Sequence, residues 1–159
     1  MTQEDRVKLQ EILHELLKDE KILKMNEFIQ HGNVTCLQHC VSVAYFSYAF
    51  CKQFNLKVDE QSLIRGALLH DYFLYDWHIK ELGRKWHGFR HPMASLHNAK
   101  QDFQLTRIEK DIILNHMWPL TLLHIPHYKE SWIVCIMDKL CGTCETMGWS
   151  LFQYSEENS

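Results

Sequence analysis

The sequence predicts an all-α fold, a single-domain bundle of about six or seven helices, on three observations. Apolar residues recur at spacings of three and four almost throughout, and no segment alternates as a half-buried strand would. Only six glycines and three prolines punctuate 159 residues. With 46% hydrophobic and 12% aromatic residues the chain can bury a core of its own, so residues 1–159 are expected to form one domain without repeat or linker.

The N-terminal region, residues 1–30, opens with a helix. It begins near Thr2, where Asp5 completes a capping-box-like pair, and runs through Val7, Leu9, Ile12, Leu13, Leu16 and Leu17 with a charged opposite face. His31-Gly32-Asn33 reads as a loop and turn leading into residues 35–140, the core. The second helix covers roughly Thr35 to Phe54, with His39 in register with Val43 and Phe46. The third covers roughly Asp59 to Tyr72 and carries His70-Asp71 at its C-terminal end. From Asp76 to Pro92 the pattern loosens into an aromatic and basic stretch that reads as a lid loop. His91-Pro92 opens a short helix to about Gln101, with Pro92 at the first helical position, where a missing N–H does no harm. Thr106 and Glu109 form a capping box before the helix Lys110 to His116, which Trp118-Pro119 ends. The last helix runs from about Lys129 to Met147, with Asp138 on its inner face among Ile133, Val134, Ile136, Met137 and Leu140, and residues 150–159 read as a frayed tail.

Polar residues inside these apolar stretches carry the chemistry. His39, His70-Asp71, His91, His116 and Asp138 each sit in or beside a run that belongs in a core. A buried imidazole or carboxylate costs several kcal/mol, roughly, unless something compensates, and a divalent cation compensates most strongly. Neighbouring helical residues diverge by about 100°, so His70 and Asp71 both reach one centre if two ions sit there or if the helix end unwinds. A bridging Asp71 meets the first condition. Two cations about 3.5 to 4 Å apart can hold a hydroxide between them and clamp a phosphoryl group during in-line displacement.

A net charge of −3 and a pI near 6.4 give no basic footprint, which argues against a nucleic-acid polymer as partner. No apolar run reaches membrane-spanning length, and the N-terminus has no signal-peptide layout, so a cytoplasmic protein with no membrane partner is expected. The six cysteines are expected to be free thiols. Cys141-Gly142-Thr143-Cys144 has redox or zinc spacing, but it follows a helical pattern where a thioredoxin-type motif would follow a strand.

Taken together, the order His39, His70-Asp71, His91, His116, Asp138 resembles the HD-domain superfamily of metal-dependent phosphohydrolases. The local contexts match as well: Leu-Leu-His-Asp at 68–71, His-Pro at 91–92, a helix ending in His at 112–116, and Asp-Lys-Leu at 138–140. The resemblance spans about Thr35 to Leu140. It implies that His39, His70, Asp71 and Asp138 hold a first metal and that Asp71, His91 and His116 hold a second. His87 could replace His91 if the lid is helical there. The metals are expected to be two divalent ions, iron or manganese first, with nickel, cobalt, magnesium or zinc used by some members; nitrogen and oxygen ligands alone do not choose among them.

Lys139 is a candidate for phosphate contact or for pairing with a ligand, and Arg84, Lys85 and Arg90 are candidates for binding substrate charge. Asp76 and His78 follow the His-Asp pair closely enough to touch a substrate; the plain alternative is a solvated loop. His14, His97, His124 and His127 read as surface or supporting groups. Trp77, Trp86 and Trp118 could stack on a base, but packing is the simpler reading.

The expected activity is hydrolysis of a phosphate ester or anhydride, on a nucleotide or another small phosphorylated substrate, by a metal-bridging hydroxide, with Asp71 or Asp138 orienting or deprotonating the water. Two other readings share the residues: a mixed-valent di-iron oxygenase and a non-catalytic nucleotide-binding module. The sequence leaves the substrate and the oligomeric state open.

Overall fold

The structure, a computed structural model, describes residues 1–75 and 87–149. The stretch from Asp76 to Trp86, with Trp77, His78, Arg84 and Lys85, lies outside the described residues, as do residues 150–159 and the side chain of His87.

The protein is all-α apart from one small hairpin. Helix α1 (Gln3–Leu17) starts as the sequence predicts: Thr2 accepts from the Asp5 amide while the Asp5 carboxylate accepts from the Thr2 amide, and Leu9, Leu13 and Leu16 turn inward. A short helix α2 (Glu20–Leu23) and a 3-10 turn (Lys24–Glu27) follow. Strands β1 (Ile29–His31) and β2 (Val34–Thr35) then pair antiparallel around Gly32, whose φ of 57° suits a residue without a side chain. His31 is therefore a strand residue, not the loop residue expected from Gly32-Asn33. Strands of three and two residues are too short to show an alternating pattern, so sequence periodicity had nothing to register.

Helix α3 (Cys36–Gln53) is capped by a Thr35–Gln38 box and is buried over most of its surface, including Cys36, Leu37, Cys40, Val41, Val43, Ala44 and Tyr48. A helix apolar on all sides belongs at the centre of a bundle. Helix α4 (Glu60–Leu69), capped by Asp59, packs along it, and α6 (Arg107–Asn115) packs on α4. Helix α7 (Lys129–Thr146) lies against both α6 and α3, so α3, α4, α6 and α7 close a ring around one interior. Helix α1 covers α4 and α3, and α5 (His87–Asp102) covers α6.

Two expectations need correction. Helix α5 begins at His87, so Pro92 lies within it and not at its first position. A proline there forgoes one backbone hydrogen bond but keeps its helical φ, and the helix continues through it. In α7, Ile136 and Leu140 do not surround Asp138 on the inner face: they are 51% and 54% exposed. Each lies two positions from Asp138, about 200° round the helix. Ile133, Val134 and Met137 are buried, as expected. None of the described helices is long and apolar enough to cross a membrane.

Candidate metal centre

Each wall of the helical ring delivers one piece of the site. His39 stands in the first turn of α3, His70 is the C-cap of α4 with Asp71 directly after it, His116 is the C-cap of α6, and Asp138 projects from α7. His91 enters from α5. All six are buried, and the structure brings them together.

Asp71 stands between two groups. Its Oδ1 lies 3.1 Å from His91 Nε2 and 3.4 Å from His116 Nε2, and its Oδ2 lies 3.4 Å from His70 Nε2. Asp138 Oδ1 is 3.1 Å from His39 Nε2 and 3.6 Å from His70 Nε2. Within each of the sets His39/His70/Asp71, His70/His116/Asp138 and Asp71/His91/His116, the nitrogen and oxygen atoms converge to within 4.8 Å of one another.

The helix ends explain how the imidazoles are aimed. A helix leaves its last carbonyls without intrahelical partners. His70 Nδ1 donates to the carbonyl of Ala67 at 2.7 Å, and His116 Nδ1 donates to that of Ile113 at 2.9 Å. With Nδ1 tied to a carbonyl, each ring turns its Nε2 inward, the orientation a metal ligand requires. His91 Nε2 and His116 Nε2 approach to 2.8 Å.

The turn after α4 is held from outside. Asn98 of α5 donates to the carbonyls of Tyr72 and Phe73, at 3.3 and 2.9 Å, and Leu74 takes a left-handed φ of 52° that disfavours a side chain. Cys36 Sγ donates to the Asp71 carbonyl at 3.1 Å. Gln30 on β1 donates from Nε2 to Asp71 Oδ2 at 2.5 Å.

The electrostatics suit a cation. Burial alone would raise the Asp71 carboxyl, but His70, His91 and His116 hold it well below the usual carboxylate range. Asp138 is likewise held low against burial, by His39 and His70. Burial pushes His116 down and keeps it neutral, whereas His39 is held well above its ordinary range, against burial, by Asp138 and Glu145. Burial raises the Cys36 and Cys40 thiols, so they pack as neutral groups. The Cys141 thiol is pushed up to about 12 by burial, the opposite of the lowered pKa a redox pair needs.

A pocket of about 780 Å³ opens over the cluster. Its lining includes the polar residues Gln30, His31, Asp71, His91, Asp138, Lys139, Thr143 and Thr146 and the apolar residues Met117, Pro119, Leu120 and Met147. Lys139 donates to the His116 carbonyl at 2.6 Å and lies 3.6 Å from Asp138 Oδ2. It thereby ties the end of α6 to the carboxylate from α7 while sitting at the pocket wall.

Arg90 is exposed on α5 and is not among the described residues lining the pocket. His14, His97 and His127 are exposed and His124 is half-buried; His97 pairs with Gln101 and His127 with Asp111. Trp118 packs edge-on against Trp132 at 4.9 Å.

A family model for the HD domain matches residues 36–143, more than half of the chain. This chain belongs to the HD-domain family. No curated protein and no solved structure gives a significant match. HD domains are in general metal-dependent phosphohydrolases, and divalent-metal binding comes with membership. The polar atoms of this HD domain fit such a group: His70 Nε2 and Asp71 Oδ1 are buried without a hydrogen-bond partner among the described residues, and both face the cluster. Leaving such atoms unpaired costs about 1–3 kcal/mol each, which a bound cation would offset.

Sequence reasoning missed three residues at this site. Gln30 and His31 lie on a hairpin that periodicity could not register. Glu145 accepts from His39 Nδ1 at 2.7 Å. One signal for it was available: Glu145 lies seven residues beyond Asp138, two turns along the same helix face.

Proposed function

We propose that this HD domain hydrolyses a phosphate ester or anhydride of a small molecule with two divalent metal ions. His39, His70, Asp71 and Asp138 would hold the first ion, and Asp71, His91 and His116 the second. The reading is carried by the Asp71 carboxylate, whose Oδ1 faces His91 and His116 while its Oδ2 faces His70. A carboxylate split between two imidazole groups is what a shared ligand requires. When bound, such a pair supplies positive charge for a phosphoryl oxygen and acidifies water at neutral pH.

The chain's own residues account for the rest. Asp138 lines the pocket with its Oδ2 turned toward Lys139, away from the Oδ1 that meets His39 and His70. That oxygen would orient an attacking water. Lys139 offers an ammonium group at the pocket wall to a phosphate oxygen. Gln30 fixes the direction of the Asp71 carboxylate. Met117, Pro119, Leu120 and Met147 present an apolar surface to the ester body. Asp76, His78, Arg84 and Lys85, which the sequence reads as part of a lid loop, are further candidates for substrate contact.

The test is anaerobic incubation of the metal-loaded protein with a panel of phosphate monoesters and nucleotides, following release of inorganic phosphate with Mn(II) or Fe(II). Metal-dependent release, abolished by chelation, is expected. No phosphate release from any substrate, with consumption of dioxygen in a parallel aerobic incubation, would overturn the proposal in favour of oxygenase chemistry.

A further inference from the structure

Three of the candidate ligand imidazoles, His39, His70 and His116, are not anchored alike at Nδ1. His70 and His116, as helix C-caps, use free carbonyls of their own helices. His39 has no such option, because it sits in the first turn of α3, where the neighbouring carbonyls are committed to the helix. Its Nδ1 instead meets a carboxylate from another helix: Glu145 Oε2 at 2.7 Å, across 106 residues of sequence. Asp138 and Glu145, two turns apart on α7, therefore grip the two nitrogens of one ring, Asp138 at Nε2 and Glu145 at Nδ1. Glu145 is 3% exposed, and its Oε1 finds no hydrogen-bond partner among the described residues.

The hairpin seals this contact. His31 packs edge-on to His39 with ring centroids 5.2 Å apart, and its Nε2 occupies the space over Gly142, 3.0 Å from where a side-chain carbon would begin. Glycine in the middle of a helix costs about 1 kcal/mol relative to alanine. Here it admits the ring that shields the His39–Glu145 bond.

We infer that Glu145 is a positioning residue for the first metal site, holding the His39 proton on Nδ1 so that Nε2 is presented to the ion. A carboxylate also makes the ring a more basic donor than a carbonyl does. His31, His39 and Glu145 also lie close enough to hold an ion themselves. Such an ion would require His39 to give up its Nδ1 proton while Nε2 serves the first site, and a short hydrogen bond to Glu145 is the simpler state for that nitrogen. The inference rests on the ligand assignment above and not on the reaction.

The experiment measures Mn(II) binding to the metal-stripped full chain by electron paramagnetic resonance of the free ion. Glu145→Gln and Glu145→Met are made in the wild-type chain, in His116→Ala, which keeps the first site, and in His39→Ala, which keeps the second. In the His116→Ala background Glu145→Met is expected to weaken Mn(II) about 10- to 100-fold, and Glu145→Gln, whose amide oxygen still accepts, by less. In the His39→Ala background neither change should matter by more than about twofold, since the ring that Glu145 orients is gone. Equal weakening in both backgrounds would mark a general structural role and overturn the inference. So would unweakened binding by Glu145→Met in the His116→Ala background or, if that variant fails to fold by circular dichroism, by Glu145→Ala in its place. A third ion bound by the wild-type chain and lost in His31→Ala would also overturn it. Failure of the wild-type chain to bind Mn(II) would instead defeat the ligand assignment.

Discussion

Asp71 carries more of the proposed chemistry than any other side chain, because its two oxygens face different imidazole groups: a neutral replacement would leave His91 and His116 without their carboxylate and His70 with Asp138 alone. Asp71→Ala is expected to lose both tightly bound ions and more than about 100-fold in activity, beyond the 10- to 100-fold typical of removing an outer partner. Elemental analysis of purified protein checks this, and two retained ions would refute the shared-ligand role. His97→Ala is the contrasting case: an exposed ring paired with Gln101 should change stability by no more than about 0.5 kcal/mol and leave metal content intact. Residue type and neighbourhood announced Asp71 in the sequence, since a His-Asp pair inside an apolar run is costly without a partner. Gln30 gave no such sign. Its amide is ordinary until the hairpin lays it against Asp71 Oδ2.

Helix ends and helix contacts set the aim of these residues. Thr106 caps α6 with Glu109 in a reciprocal box, and α6 ends at His116, so the length of that helix places a candidate ligand. Thr106→Ala should cost about 1 kcal/mol of stability, measured by denaturant unfolding of the chelated protein. Gly66 lets α4 and α6 meet closely. A side-chain carbon there would lie 3.2 Å from Ile112 Cβ and 3.3 Å from its Cγ2, atoms too near the backbone to swing aside. Gly66→Ala gains up to about 1 kcal/mol of helix propensity and loses about 1–3 kcal/mol to overpacking, so a net loss in unfolding free energy is expected. Because Ile112 lies one turn before His116, the same change should also weaken metal binding. The caps were legible in the sequence because they are local. The crowding at Gly66 was not, because it depends on a helix more than 40 residues away.

At the scale of the whole molecule, the ring of α3, α4, α6 and α7 holds buried charge that a bound cation would balance. Saturation with Mn(II) should stabilise the fold by about 2.7 kcal/mol per site at a hundred times the dissociation constant and so raise its thermal midpoint, and chelation should lower it again. An unchanged midpoint in differential scanning calorimetry would speak against metal binding to the folded state. Acid should destabilise the chelated protein through groups remote from the site. Lys52 holds the Asp5 carboxyl below its usual range, and Lys21 does the same for Asp102. A depressed folded-state pKa means stability that is fully present above the unfolded value near 4 and is lost as pH falls through the folded value, so the midpoint should drop below about pH 4. Replacing both aspartates by asparagine should flatten that drop. The sequence by itself determined the helical class, most helix boundaries and the ordered set of six metal-type residues, because periodicity, caps and polar interruptions of apolar runs are written within a few residues of one another. The tertiary structure alone decided which nitrogen of each imidazole faces the centre, that Gln30, His31 and Glu145 stand beside it, and that Ile136 and Leu140 face solvent. Those outcomes depend on where distant helices end and how they cross, and a linear pattern does not encode that.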